Sequence, residues 1–244
     1  MVAPLSPWDI LHHMPEITRP IALSQYAEVT LRAVSDAGLG QKLSLGGALG
    51  LQHYLEYRST HDVDAWWHPS ATSGEREKIF QVVEETLRPF GPTRRRQWKE
   101  VSSLDLLLEG KVVFSFQVAD RSVLIEPTST LPWLDFSIDS LPDLIASKMV
   151  ALVERGAPRD FLDIYTLCQR EVVTPTDCWR LWKERQERAD GDTSPNRARL
   201  AVESHLGRIA RQRPLESIAD PDQRRSSETL RCFFRQEFLD AFVA

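Results

Sequence analysis

The apolar positions of this chain change period twice. From residue 24, Tyr26, Val29, Ala33 and Val34, with Thr30, fall at helical spacing and Gly38 and Gly40 follow, which predicts a helix over 24–37. A short apolar run predicts a strand over 43–45. Leu49, Leu51, Tyr54 and Leu55 predict a short helix over 48–57, and a second strand is expected over 63–67. A helix over 73–90 carries Glu75 and Glu77 in its first turn and is ended by Pro89-Phe90-Gly91-Pro92. The period then shortens to two. Val112, Phe114, Phe116 and Val118 alternate with Val113, Ser115 and Gln117, as in a strand with one buried face. Strands over 98–108 and 111–119 flank Glu109-Gly110, read as a hairpin turn, and a further strand is expected over 121–126 before a turn-rich join at 127–132.

From Ser140 the pattern is helical and stays so. Asp139 or Ser140 can cap a helix over 140–154 with Pro142 in its first turn, and Gly156-Ala157-Pro158 breaks it. Helices over 159–170, 176–189, 196–211 and 227–242 follow, with a polar loop at 189–195. Residues 4–20 are proline-punctuated and read as an irregular arm. The order predicts an α/β (α+β) protein: a mixed-sheet domain over 1–135, then an all-helical domain over 136–244.

Charge sharpens this division. Residues 1–140 hold 13 Lys/Arg and 18 Asp/Glu, whereas 141–244 hold 17 of each, so the net −5 arises entirely in the first part. No global basic field points to nucleic acid, but the arginine-rich second part allows local basic faces. The three cysteines, Cys168, Cys178 and Cys232, match no zinc spacing and suit reduced thiols in a cytoplasmic protein. Residues 1–20 lack a basic stretch followed by an apolar run, which argues against a signal peptide. No run of about 18 apolar residues predicts a membrane span.

Two clusters carry candidate chemistry. The first is Gly46-Gly47, between a predicted strand and a short helix, followed by Asp62 and Asp64 on the next strand. Glycines let a backbone approach a phosphate, and a helix N-terminus adds free N–H groups. Carboxylates two apart on a strand share a face and offer hard oxygen ligands that suit Mg²⁺ held against nucleotide phosphates. The second cluster is Lys148, Arg155, Arg159, Asp160 and Asp163. Here Arg159 and Asp163 stand at i,i+4, so these residues also fit the plain role of capping and stapling two packed helices.

Together Gly46-Gly47, Arg58-x-Thr60-x-Asp62-x-Asp64, Lys148, Arg155 and Arg159-Asp160-x-x-Asp163-x-Tyr165-x-Leu167 resemble the AbiEii/AbiGii toxin family. These are nucleotidyltransferase-like proteins of the DNA polymerase beta superfamily, the toxin half of bacterial toxin–antitoxin and phage abortive-infection modules. The resemblance covers about residues 40–170 and rests on both clusters occurring in order. It implies a nucleotidyltransferase core followed by a helical domain. It also implies that Asp62 and Asp64 bind the metal, that Gly46 and Gly47 lie under the phosphates of an NTP, and that Lys148 reaches those phosphates. Asp163 would be the essential acid of the helical domain, supported by Arg155, Arg159 and Asp160. The implied activity is Mg²⁺-dependent nucleotide transfer to an RNA acceptor, with tRNA favoured, and the implied partner is an antitoxin encoded nearby.

The chain departs from that pattern in two places. Ala48 follows the glycine pair where a Ser or Thr is frequent. The strand predicted over 111–119 carries no acid where a third carboxylate is often found, leaving Asp105, Glu109 and Asp120 as candidates. These departures keep open a non-catalytic binding protein on the same fold, and a small-molecule nucleotidyltransferase of the antibiotic-modifying kind is a further alternative. His61 and His68 flank the acid pair without metal-ligand spacing, so structural or solvated roles suit them. Arg94-Arg95-Arg96 with Trp98 and Lys99 fits a solvated loop or an RNA-backbone contact, and of Trp66-Trp67 one ring suits the core.

Overall fold

The computed structural model describes residues 15–121 and 123–241. The arm read over 4–20 lies outside the described residues up to residue 14. Residues 15–20 are irregular and tied down where the Thr18 N–H donates to the His53 carbonyl at 2.8 Å. The described residues divide into two compact units, 15–144 and 145–241, with the division inside one helix.

The first unit is built on a seven-stranded mixed sheet. Its strands are β1 (Leu43–Leu45), β2 (Val63–Trp67), β3 (Thr93–Trp98), β4 (Val101–Leu108), β5 (Lys111–Ala119), β6 (Ser129–Thr130) and β7 (Ser137–Ile138), in the spatial order β3-β4-β5-β2-β1-β7-β6. The pairs β1–β7 and β2–β5 are parallel and the other neighbours antiparallel. Helices α1 (Gln25–Asp36) and α3 (Ser73–Leu87) cover one face. Ala27, Leu31 and Val34 of α1 and Ile79, Phe80 and Val83 of α3 are buried, and so are Phe114, Phe116 and Val118 of β5. Phe80 meets Phe116 edge to face at 6.0 Å, and Tyr26 lies 6.0 Å from Phe114. The opposite alternation set holds Ser103, Asp105, Ser115, Gln117 and Asp64, so the second face is polar.

Several local predictions hold because their signals are local. Ser24 accepts from the Ala27 N–H and caps α1. The helix starting at Ser73 is held by a reciprocal capping box between Thr72 and Glu75, and the Thr72 N–H holds the Glu75 carboxyl down at about 2, with Lys42 adding to it. The Glu109-Gly110 turn has both residues at positive φ (51° and 75°), as a two-residue hairpin of right-handed strands requires.

Other predictions are corrected. The helix read over 48–57 is α2 (Gly47–Gln52) only. Beyond it the chain is drawn out, because the Glu56 carboxylate accepts the N–H groups of Ile21 and Ala22 at 3.0 and 2.6 Å. No strand forms among the described residues of 121–126: the N–H groups of Ile125 and Glu126 each donate to the Asp143 carboxylate at 2.9 Å instead of to a ladder. The span 98–108 is not one strand. Lys99, at φ 52°, and Glu100 turn the chain between β3 and β4. The edge strand β3 is nearly all exposed and carries charge rather than apolar alternation, so its period was invisible.

The second unit continues α4 (Leu141–Glu154) with α5 (Pro158–Gln169), α6 (Pro175–Arg188), α7 (Pro195–Gln212) and α8 (Pro221–Phe233), the last running into a π-helical turn over Phe234–Phe238. Of the cap candidates for α4 it is Ser140 that serves, accepting the Asp143 N–H at 3.2 Å. Aromatic rings form the core: Phe161 meets Phe234 at 4.7 Å, and Trp179 both lies 5.2 Å from Phe238 and donates Nε1–H to its carbonyl at 2.9 Å. The helix expected over 227–242 begins earlier, at Pro221 behind the cap Asp220, because its first turns carry polar residues without an apolar stripe. Residue 242 lies outside the described residues.

Candidate active site

The strand β2 sits at the centre of the sheet, with β5 on one side and β1 on the other. Its burial alternates: Val63, Ala65 and Trp67 are buried on the helix-covered face, while Asp64 and Trp66 are half-buried on the polar one. Asp62 precedes the strand by one residue and is likewise half-buried. Trp67 is therefore the core tryptophan, and Trp66 lies beneath the Arg121 guanidinium at 5.5 Å.

The glycine pair is shaped by these side chains. The Gly46 N–H donates to the Asp64 carbonyl at 2.9 Å, which draws the turn onto β2. A β-carbon at Gly46 would fall 2.5 Å from Trp66 Nε1. At Gly47 it would fall 2.7 Å from Cβ and 2.9 Å from Cγ of Asp64, and Gly47 has φ +59°, a conformation that disfavours side chains. Both glycines are thus required by close approach, and one of them by backbone conformation as well. With six residues, α2 is too short to lend much macrodipole, so the turn's chemistry rests on its open backbone.

In the helical unit, Lys148 Nζ pairs with Asp163 Oδ2 at 2.7 Å, and both are buried. The i,i+4 pairing of Arg159 with Asp163 read from the sequence does not form; Arg159 is exposed. Arg155 grips the buried Asp160 with two bonds of 2.9 Å, and the Ala157 N–H donates to the same carboxylate at 3.1 Å. Asp160 therefore caps α5 from its first turn, standing in for the side-chain acceptor that Ala157 lacks. Each of these two carboxylates thus has a cation partner, Lys148 within α4 and Arg155 immediately after it.

The remaining sequence candidates are dispersed. His61 and His68 are exposed, and His68 bonds Ser70 at 2.8 Å. Glu109 sits in the hairpin turn, and Asp120 pairs with Arg76 at 2.8 Å. Asp105 alone shares the polar face with Asp64: it is buried on β4 and takes Arg94 and Arg96 at 3.1 and 2.6 Å. The arginine run is split by alternation, since Arg95 goes to the other face, bonding Glu77 at 2.6 and 2.7 Å and lying over Phe80. Among the described residues no group of three or more His, Cys, Asp or Glu is arranged to share a metal. The donor set fits Mg²⁺ nonetheless, because that ion is commonly held by one or two carboxylates with waters and substrate phosphates completing the shell.

Two polar groups hold positions that the sequence reading did not give them. Asp139, fully buried, ion-pairs with Arg121 and accepts from the Ser44 hydroxyl; burial pushes its carboxyl up against the pull of Arg121. Gln117 stands directly opposite Asp64 in the β2–β5 ladder. Only the cross-strand register reveals it.

Eight chains of solved structure match this one. A protein assigned as a nucleotidyltransferase from H. pylori has 13% identity over 89% of this chain and 93% of its own, with a TM-score of 0.49. An antigenic nucleotidyltransferase-like protein from Paracoccidioides brasiliensis has 14% identity over 79% and 91%, with a TM-score of 0.39. No curated protein matches the chain. Residues 29–241 match the family described as "Nucleotidyl transferase AbiEii toxin, Type IV TA system". With that match spanning most of its length, and with a glycine turn packed on the carboxylate strand of a mixed sheet, the chain belongs to the AbiEii family of nucleotidyltransferase toxins.

Proposed function

We propose that this protein transfers a nucleotide from an NTP to an RNA acceptor, tRNA being favoured by family analogy. The observation that carries the reading is the packing of Gly47 against Asp64: an open backbone and a carboxylate are forced into adjacency at the centre of the sheet. Asp62 and Asp64 would hold Mg²⁺, which when bound supplies charge neutralisation at the triphosphate. The backbone of Gly46 and Gly47 gives the phosphates a surface free of side chains. For Lys148, Arg155, Arg159, Asp160 and Asp163 we keep the roles implied by the resemblance: Lys148 reaches the phosphates, and Asp163 is the essential acid of the helical domain, supported by Arg155, Arg159 and Asp160. In the reaction, an acceptor hydroxyl oxygen bonds to the α-phosphorus and gives its proton to a carboxylate of the pair. The bond to the β-phosphate oxygen breaks, and pyrophosphate leaves.

RNA as acceptor gains support from the sheet's edge. Arg94, Arg96 and Trp98 share the face of Asp64, and Trp98 is 75% exposed. Three strand spacings of about 4.8 Å separate β2 from β3, a span of roughly 14 Å that two nucleotides of a single strand cover. The reading assigns residues 1–135 to the transferase core and 136–244 to the helical domain. As proposed, the protein works in the cytoplasm with an antitoxin as partner. No described helix is long and apolar enough to cross a membrane.

The test is label transfer from each α-labelled NTP, with Mg²⁺, to total bacterial RNA by the wild type and Asp64→Ala. Label entering one RNA band with the wild type alone supports the reading; equal labelling by both proteins refutes the site. A second reading, a binding protein without chemistry, is favoured by Ala48 after the glycine pair and by the lack of an acid within β5. Calorimetric Mg-nucleotide binding that Asp62→Ala abolishes, accompanied by label transfer, would exclude it.

A further inference from the structure

The polar face of the sheet carries a directed chain of hydrogen bonds that ends beside Asp64. Asp105 on β4 is opposite Ser115 on β5, and Gln117, two residues along β5 on the same face, is opposite Asp64 on β2. Arg94 and Arg96 both donate to Asp105 Oδ2, at 3.1 and 2.6 Å. Ser115 Oγ donates to Asp105 Oδ1 at 3.0 Å, and Gln117 Nε2 donates to Ser115 Oγ at 3.2 Å. Asp105 and Ser115 are buried, at 0% and 5% exposure, so water cannot readily replace either partner.

This chain has one direction. A carboxylate held by two guanidiniums only accepts, so the single Ser115 proton points at Asp105. Ser115 Oγ can then only accept from Gln117, which fixes the amide: its NH₂ faces Ser115 and its carbonyl oxygen is turned away. Flipping the amide would set two acceptors against each other and lose a hydrogen bond near the core. Gln117 itself is half-buried, so its oxygen is held on the open side of the sheet, at the ladder position of Asp64.

We infer that Gln117 is the third metal ligand of the site, through its amide oxygen, and that the Asp105–Ser115 relay is the positioning device that aims it. The inference rests on the reading of Asp62 and Asp64 as the metal pair. Side-chain amide oxygens are ordinary ligands of hard cations. The substitution of amide for carboxylate gives the protein two charges at the metal rather than three, and so predicts weaker intrinsic affinity for a divalent ion with unchanged ligand count.

Mn²⁺ is the probe, with free ion counted by electron paramagnetic resonance during titration of the whole chain. We expect Gln117→Leu to weaken Mn²⁺ binding roughly tenfold and Gln117→Glu to strengthen it by a similar factor, each tenfold being about 1.4 kcal/mol. Ser115→Ala should weaken binding by about tenfold, as loss of a supporting hydrogen bond to a ligand does, while Ser115→Thr, which keeps the hydroxyl, should restore it. Gln117→Glu changes almost no volume, so it decides the matter if the leucine variant fails to fold. Binding lost in Asp64→Asn but equal to wild type in both Gln117→Leu and Gln117→Glu overturns the relay alone. Mn²⁺ binding absent from the wild type, or indifferent to Asp64→Asn, overturns the relay together with the acid-pair reading.

Discussion

At Gly47 two physical demands coincide: a left-handed backbone and the absence of a β-carbon next to Asp64. A side chain there costs about 1–2 kcal/mol for the backbone alone, and it must also displace the carboxylate. Gly47→Ala is therefore expected to lower stability by at least that amount in urea unfolding and to reduce nucleotide transfer far more than the lost stability accounts for. The neighbouring Gly46 meets Trp66 Nε1 instead, with ordinary backbone angles, so the same substitution there should disturb the tryptophan before the carboxylate. Tryptophan fluorescence separates the two variants. Both positions draw the eye in the sequence as a glycine pair, but which side chain each one accommodates follows from the Gly46 N–H bond to β2, a contact between residues eighteen apart in the chain.

Between α4 and α5 the Lys148–Asp163 pair joins two helices through buried charges. Removing one partner strands the other charge, which typically costs about 3–5 kcal/mol, whereas replacing both by apolar groups of similar size is often neutral. Loss of transfer in Lys148→Ala alone would thus confuse a folding defect with a functional one. We expect Lys148→Met and Asp163→Leu singly to lower the unfolding midpoint, and the double variant to recover most of it. If Lys148 serves the nucleotide, the stable double variant remains inactive; recovery of transfer with stability would leave the pair a purely structural role. Element boundaries show where the sequence speaks and where it falls silent. Caps such as Ser24 and Thr72 stand at the helix starts that the pattern gives, because capping joins residues three apart, whereas Asp220 leads into polar first turns and its helix start shows no stripe. The strand β3 and the tie of Ile125 and Glu126 to Asp143 do not, because an exposed edge and a side-chain clamp leave no period.

Over the whole molecule, acid sensitivity should trace in part to His53. It is fully buried, its Nδ1 meets the Leu49 carbonyl at 2.8 Å, and burial drives its imidazole down to about 4. The unfolded chain binds that proton from about pH 6.5 downward and the folded one only near 4, so the unfolded state holds more protons between those values. Stability contributed by the neutral ring is present above pH 6.5 and is lost as pH falls toward 4, by on the order of 3 kcal/mol. Urea midpoints measured from pH 7 to pH 4 should fall more steeply for the wild type than for His53→Gln; parallel slopes would remove His53 from the account. Taken alone, the sequence determined what is local or periodic: the α/β order, most helix and strand positions, the glycine turn and the acid pair, and through their combination the family. Tertiary structure decided what depends on register and packing. It gave Asp163 to Lys148 rather than Arg159, split the three arginines between two faces, and set Gln117 beside Asp64. Those outcomes arise from pairings between distant segments, and strand register, which a one-residue slip would reverse face by face, is fixed only when the sheet assembles around its buried side.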